Sequence, residues 1–197
     1  MIDNIIDKNI IFLQKYGVKM DTDDDKAVYK YGLQILYYYI IDLAVIFALA
    51  HLFGRLYETM IITFIFGFFQ VFGGGYHAKT PLTCLICMLC GLFLGNILTD
   101  IILGQQIFMV ISAFLASAII FMFAPIRNKN HFVGKRVLKR SVYILRIAIL
   151  LNFLIIILFL GISQNIKAAI LASALYLYMI SLISAKISHF CAKIAKK

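Results

Sequence analysis

Gly73-Gly74-Gly75-Tyr76-His77-Ala78-Lys79-Thr80-Pro81-Leu82-Thr83-Cys84 interrupts two long apolar runs with the one polar, glycine-dense stretch in the first half of the chain. Consecutive glycines lose backbone entropy and bury no side chain, so they belong where the chain turns sharply or approaches something closely. Proline is excluded from helix interiors but suits the first turn, and Thr80 before it is a good N-cap. The pattern predicts a break over residues 73–79 and a new helix from Pro81. Cys84 then falls at the start of that helix, where the partial positive charge of the N-terminus favours a thiolate. A continuous helix would hold His77 and Cys84 roughly 10 Å apart along its axis, whereas a loop can fold back and bring them together. A Cys–His nucleophile pair is therefore sterically reasonable.

Outward from this stretch, the composition narrows the class. The 197 residues are 63% hydrophobic and 14% charged, too apolar for a soluble domain. The reading is an all-α integral membrane protein of about six transmembrane helices with an N-terminal amphipathic interfacial helix. Spans are expected near residues 31–53, 57–72, 82–103, 106–124, 142–161 and 166–187, close to the ~20 residues a spanning helix needs. The second is the shortest and ends in glycine, which would leave the loop after it sunk towards the bilayer. Irregular backbone is tolerated there only when protein buries it or it lines a wet cavity. Before the spans, Ile2, Ile5, Ile6, Ile10, Leu13 and Tyr16 recur at helical spacing opposite Asp3, Asp7, Lys8 and Lys15. Such a helix lies in the membrane surface. Gly17 permits a turn, and Asp21-Thr22-Asp23-Asp24-Asp25 reads as the acid-rich start of the next helix. The organisation expected is one membrane domain over residues 1–197: interfacial segment 1–30, core 31–187 and basic tail 188–197. Asp3 and Asp7 stand where a signal peptide would be basic, and no cleavage site is visible.

The formal net charge is +10. The basic residues flank the apolar segments instead of forming a separate surface, so the charge is a topology signal and an attraction to acidic headgroups or peptides, not a nucleic-acid footprint. Of 19 Lys and Arg, all but Arg55, Lys167 and Arg146 fall on one side of the six-span arrangement. By the positive-inside rule both termini, the loop at residues 73–84 and a basic loop at 127–140 are cytoplasmic, at the plasma membrane. Cys87, Cys90 and Cys191 read as small hydrophobes. Three thiols along one apolar helix cannot converge on a tetrahedral ion, so no metal and no cofactor is expected. His51, His131 and His189 lack a partner at useful spacing. Asp42, Asp100 and Arg146 lie in or at the ends of spans, where a charge is costly and is paired or faces a cavity.

Gly74-Gly75-Tyr76-His77-Ala78-Lys79-Thr80-Pro81 followed by Cys84 resembles the signature of the AgrB family, the accessory gene regulator membrane endopeptidases that process peptide pheromones in Gram-positive bacteria. Chain length, the amphipathic lead, six apolar segments and a basic stretch after the fourth are similar too. The resemblance implies that Cys84 is the nucleophile and His77 its base. It implies an AgrD-like propeptide as substrate, cut through a thioester on Cys84 and then closed into a thiolactone or lactone. The peptide's acidic tail would suit Lys135, Arg136, Lys139 and Arg140, with Gly75 and Lys79 as further substrate contacts. The partners implied are the propeptide, the lipid bilayer and a second copy of the chain. Two positions depart from the family pattern: Gln70 stands where a basic residue is expected, and Thr83 where an arginine often precedes the cysteine. From another class, a membrane transporter would account for the spans and use the glycines as a gate. It would not account for a thiol and an imidazole at the break, and no internal repeat is visible.

Overall fold

The computed structural model describes residues 2–18, 22–76, 78, 80–126 and 135–194. Among them the chain is helical, with no strand: α1 (Ile2–Lys15), α2 (Asp23–Leu52), α3 (Leu56–Gly73), α4 (Pro81–Ile102), α5 (Gln106–Phe123), α6 (Lys135–Gly161) and α7 (Asn165–Ile194). Six of these, α2 to α7, are long and apolar enough to cross a membrane. The all-α membrane architecture expected from the sequence is what forms. His77, Lys79, Asp21, His131, Arg127 and Lys129 lie outside the described residues.

The chain divides into two compact units, Met1–Leu52 and Phe53–Lys197. In the first, α1 packs on α2. Asp7 and Lys30 pair at 2.8 Å, and the Asn9 amide donates to the Tyr37 hydroxyl at 2.6 Å. Gly17, at φ +89°, takes the turn between them. Thr22 and Asp25 cap α2 reciprocally: the Thr22 hydroxyl accepts the Asp25 N–H and the Asp25 carboxylate accepts the Thr22 N–H, both at 3.1 Å. Three aspartates fill the first turn, where the helix dipole favours them. The helix starts at Asp23, eight residues ahead of the expected span, because that cap already provides a start and nothing between Asp23 and Tyr31 breaks a helix.

In the second unit α7 is the axis. α3, α4, α5 and α6 all pack against it, and neighbours α3–α4, α4–α5, α5–α6 and α6–α3 close a ring around it. Every residue from Ala168 to Tyr178 is buried, so α7 is covered on all sides through three turns. Ala168, Ala169, Ala172, Ser173 and Ala174 explain why this helix takes the centre. In lipid no hydrophobic force drives helices together, and small side chains let backbones approach until packing does. Hydroxyls join the ring to its axis. Thr99 of α4 donates to Ser173 at 2.9 Å, and Tyr176 bonds Ser112 of α5 at 2.6 Å. The outer faces of α3–α6 carry exposed Phe64, Val71, Phe93, Ile107 and Leu154, as a lipid-facing surface should.

One expectation is corrected. Residues 127–140 were expected to form a basic loop before a span starting at 142, but α6 already begins at Lys135. Lys135, Arg136, Lys139 and Arg140 are therefore positions in its first turns. Lysine and arginine are good helix formers, so a basic run beside an apolar one extends the helix instead of ending it.

Candidate active site

The predicted break forms where α3 meets α4. α3 ends because Gly74 leaves helical conformation at φ +73°, while its N–H still bonds the Gln70 carbonyl at 2.9 Å. The three glycines have different neighbours. A β-carbon on Gly73 would run into the Tyr178 hydroxyl and lie 2.7 Å from Leu145. One on Gly74 would strike the Ile126 carbonyl. One on Gly75 would stand 2.7 Å from Ser181 Oγ and 3.4 Å from the Gln70 side chain. Each glycine admits a different close approach, from α7, from the segment after α5, and from α7 together with α3.

The same neighbours hold the loop by hydrogen bonds. Ile126 N–H donates to the Gly73 carbonyl at 3.0 Å, tying the chain after α5 to the end of α3. The Tyr76 N–H donates to Ser181 Oγ at 3.1 Å, and Gln70 Nε2 donates to the Tyr76 carbonyl at 3.2 Å. Tyr178 is fully buried with its ring 5.3 Å from Phe69, and its hydroxyl has no hydrogen-bond partner among the described residues.

On the far side of the loop α4 starts on a reciprocal cap. Thr80 Oγ1 accepts the Thr83 N–H at 3.2 Å, Thr83 Oγ1 accepts the Thr80 N–H at 3.3 Å, and Pro81 takes the first helical position. The Cys84 N–H then makes the first helical bond, to the Thr80 carbonyl at 3.0 Å. Cys84 is half-buried in the first turn, while Cys87 and Cys90 are exposed further along α4. A thiol at such a helix start stands where the dipole stabilises its anion.

The sites expected from the sequence fall into three groups. Cys84 and Gly75 sit at this junction. His77 and Lys79 lie within the same connection but outside the described residues. Lys135, Arg136, Lys139 and Arg140 begin α6, with Lys139 and Arg140 exposed. Two more cations lie over aromatic rings near the end of α5: Lys186 Nζ stands 3.6 Å from the Phe123 centroid and the Arg146 guanidinium 5.5 Å from that of Phe121. Sequence reasoning missed Tyr178 and Ser181. The available signal was a pair of polar side chains three apart in a largely apolar span, where polar groups tend to have a task. Gln70 entered only as a departure from a pattern. Here its amide holds the loop.

Comparison with known proteins agrees with this picture. The family model for accessory gene regulator B matches residues 4–184. The chain belongs to that family. Two curated relatives, both described as AgrB-like, come from clostridia. That of Clostridium acetobutylicum is 27% identical over 158 residues, covering 78% of this chain and 73% of its own length. That of Clostridium perfringens is 25% identical over 186 residues, covering 88% and 86%. Their names record likeness to AgrB and no activity. No solved structure gives a significant match.

Proposed function

We propose that this AgrB-family protein is a membrane-embedded cysteine endopeptidase that cleaves an AgrD-like pheromone propeptide and promotes its cyclisation for quorum sensing. The observation that carries the reading is the position of Cys84: first turn of a capped helix, seven residues after His77, behind a loop bonded to α3 and α7. In this mechanism His77 takes the thiol proton and Cys84 Sγ attacks a peptide carbonyl carbon. As the tetrahedral intermediate collapses, the C–N bond breaks, the proton passes from His77 to the leaving amine, and the N-terminal part remains as a thioester. An internal thiol or hydroxyl of the peptide then displaces Cys84 and closes the ring. In that second step the attacking group's proton passes to the Cys84 thiolate and the activated thioester is exchanged for the ring bond, so the closure itself needs no ATP. Exclusion of water keeps the thioester from hydrolysing to a linear product.

The propeptide, a bilayer and a second copy of the chain are the partners in this reading. Both termini and the connection between α3 and α4 face the cytoplasm of a bacterial cell. The test is mass spectrometry of purified protein mixed with a propeptide. A mass increment on Cys84 equal to the peptide without its tail is expected, and Cys84→Ala and His77→Ala should both be inactive while Cys87→Ala, Cys90→Ala and Cys191→Ala keep most activity. Cleavage at the wild-type rate by Cys84→Ala would end the nucleophile assignment.

A further inference from the structure

We propose that Ser181 of α7 is a positioning residue for this reaction, holding the backbone of Tyr76 so that the chain enters His77 in one direction. The proposal rests on the assignment of His77 as the base of Cys84.

Tyr76 is the last residue before His77, and both of its backbone polar groups are bonded to side chains from elsewhere. Its N–H goes to Ser181 Oγ at 3.1 Å, across 105 positions of sequence. Its carbonyl, in the peptide group that joins it to residue 77, accepts from Gln70 Nε2 at 3.2 Å. Two successive peptide planes are thereby held, one from α7 and one from α3. Between them they define the backbone direction at residue 76.

Gly75 makes the arrangement possible. With any side chain there, a β-carbon 2.7 Å from Ser181 Oγ would push the hydroxyl away from the Tyr76 amide. The glycine and the serine thus form one device, and the role of Gly75 is close approach of α7. α7 is the helix best suited to act as the fixed reference, because all four ring helices pack on it and its residues 168–178, ending three positions before Ser181, are all buried. Cys84 is referenced separately, through the Thr80–Thr83 cap of α4. A base on a loop fixed to α7 and a nucleophile on a capped helix that packs on α7 share one frame. Alignment of a base within hydrogen-bond reach is the requirement such a frame serves.

The experiment uses full-length protein in membranes lacking Cys87, Cys90 and Cys191, so that iodoacetamide reports on Cys84 alone. The alkylation rate is followed against pH, beside kcat and KM for propeptide cleavage. With Ser181→Ala the alkylation profile should move to more alkaline pH, in the direction of His77→Ala, and kcat should fall about ten-fold with KM nearly unchanged, the scale expected when a polar group loses its partner. Ser181→Thr, which keeps the hydroxyl, should retain the wild-type profile. Gly75→Ala should behave like Ser181→Ala, and Gly75→Ala with Ser181→Gly should be no worse than Gly75→Ala alone, because both changes break one contact. A wild-type profile and kcat for Ser181→Ala overturns the proposal. So does a loss of activity that only follows the amount of folded protein while the profile of the folded fraction stays wild-type. If Cys84→Ala and His77→Ala are inactive and Ser181→Ala is normal, the positioning role alone fails. If Cys84→Ala still cleaves, the underlying mechanism fails.

Discussion

Thr80 and Thr83 cap each other: each side-chain oxygen accepts the other's backbone N–H, at 3.2 and 3.3 Å, and the two hydroxyls lie 2.8 Å apart. The Cys84 N–H bonds to the Thr80 carbonyl, so the backbone of Cys84 is anchored on the cap. Replacing an N-cap threonine with alanine costs about 1 kcal/mol. Thr80→Ala should therefore lower hydrogen-exchange protection of the Cys84 amide by about five-fold, with protection of the α7 core unchanged. Thr80→Asp, which restores an acceptor, should recover it. Unchanged protection in Thr80→Ala would show that Pro81 and packing alone hold the helix start.

Gly73 and Tyr178 make the second testable contact. The tyrosine hydroxyl fills the space a β-carbon would need, and it has no hydrogen-bond partner among the described residues. Burying a hydroxyl without a partner is unfavourable, so Tyr178→Phe should leave the melting temperature of detergent-solubilised protein equal or higher. Gly73→Ala should destabilise by about 1–3 kcal/mol, the usual scale of overpacking. The double variant should regain part of that loss, limited by Leu145 on the same side. A double variant no better than Gly73→Ala would mean that Leu145 and the backbone, and not the hydroxyl, demand the glycine.

Much of this junction is legible in the sequence, and the reason is local. Glycine, proline and threonine act over two or three positions, so the break, the cap and the placing of Cys84 follow from the residues themselves. The spans are equally readable, because bilayer thickness sets their length. What is not legible depends on partners far along the chain. Ser181 is one hydroxyl in an apolar helix until Tyr76 is placed beside it. Its polarity, three positions after Tyr178, marks it for a task but does not say which group it bonds, and only the alanines of residues 168–174 hint at an axis. The early start of α6 was missed because basic residues serve topology in loops and propagate helices equally well. Helix propensity and the positive-inside rule do not compete for them.

At the other end of α3 and α4, Arg55 clasps Asp100 with both guanidinium nitrogens, at 2.9 and 2.7 Å, with Glu58 at 3.8 Å. The Asp100 hydrogen bond first, helped by the charge of the two carboxylates, outweighs desolvation and raises the Arg55 pKa above its ordinary value. A raised folded-state value means the contribution is fully present below the ordinary guanidinium range and is lost only as pH rises through the higher folded value. Because the side chains are 38% and 52% exposed, screening limits the pair to ~0.2–1 kcal/mol. Arg55→Gln should thus lower the melting temperature slightly, by the same amount across the neutral and moderately alkaline range, and less at high salt. Arg55→Lys should recover only part, since an ammonium cannot bond both oxygens in the fork geometry. A difference between wild type and Arg55→Gln that disappears on raising the pH to about 10 would contradict this assignment.

The basic start of α6 supplies the last prediction. Lys135 and Lys139, and likewise Arg136 and Arg140, are four positions apart in one helix, so they fall in neighbouring rows of a single face. Orientation alone does not require that clustering, because the basic termini already satisfy the positive-inside rule. Four cations at helical positions suit an acidic peptide segment better than a loop would, since the backbone that carries them is ordered before binding. Neutralising all four should raise KM for a full-length propeptide roughly ten-fold and leave kcat unchanged, each exposed pair being worth only ~0.2–1 kcal/mol. Single changes should be close to silent. The defect should shrink at high ionic strength, because salt removes the wild-type advantage and leaves the variant almost unaffected. A propeptide with its acidic tail neutralised should bind wild type and quadruple variant alike. Membrane insertion is checked in parallel by protease accessibility of the termini. A quadruple variant that inserts normally and handles both peptides with the wild-type KM would reduce this face of α6 to a topology signal.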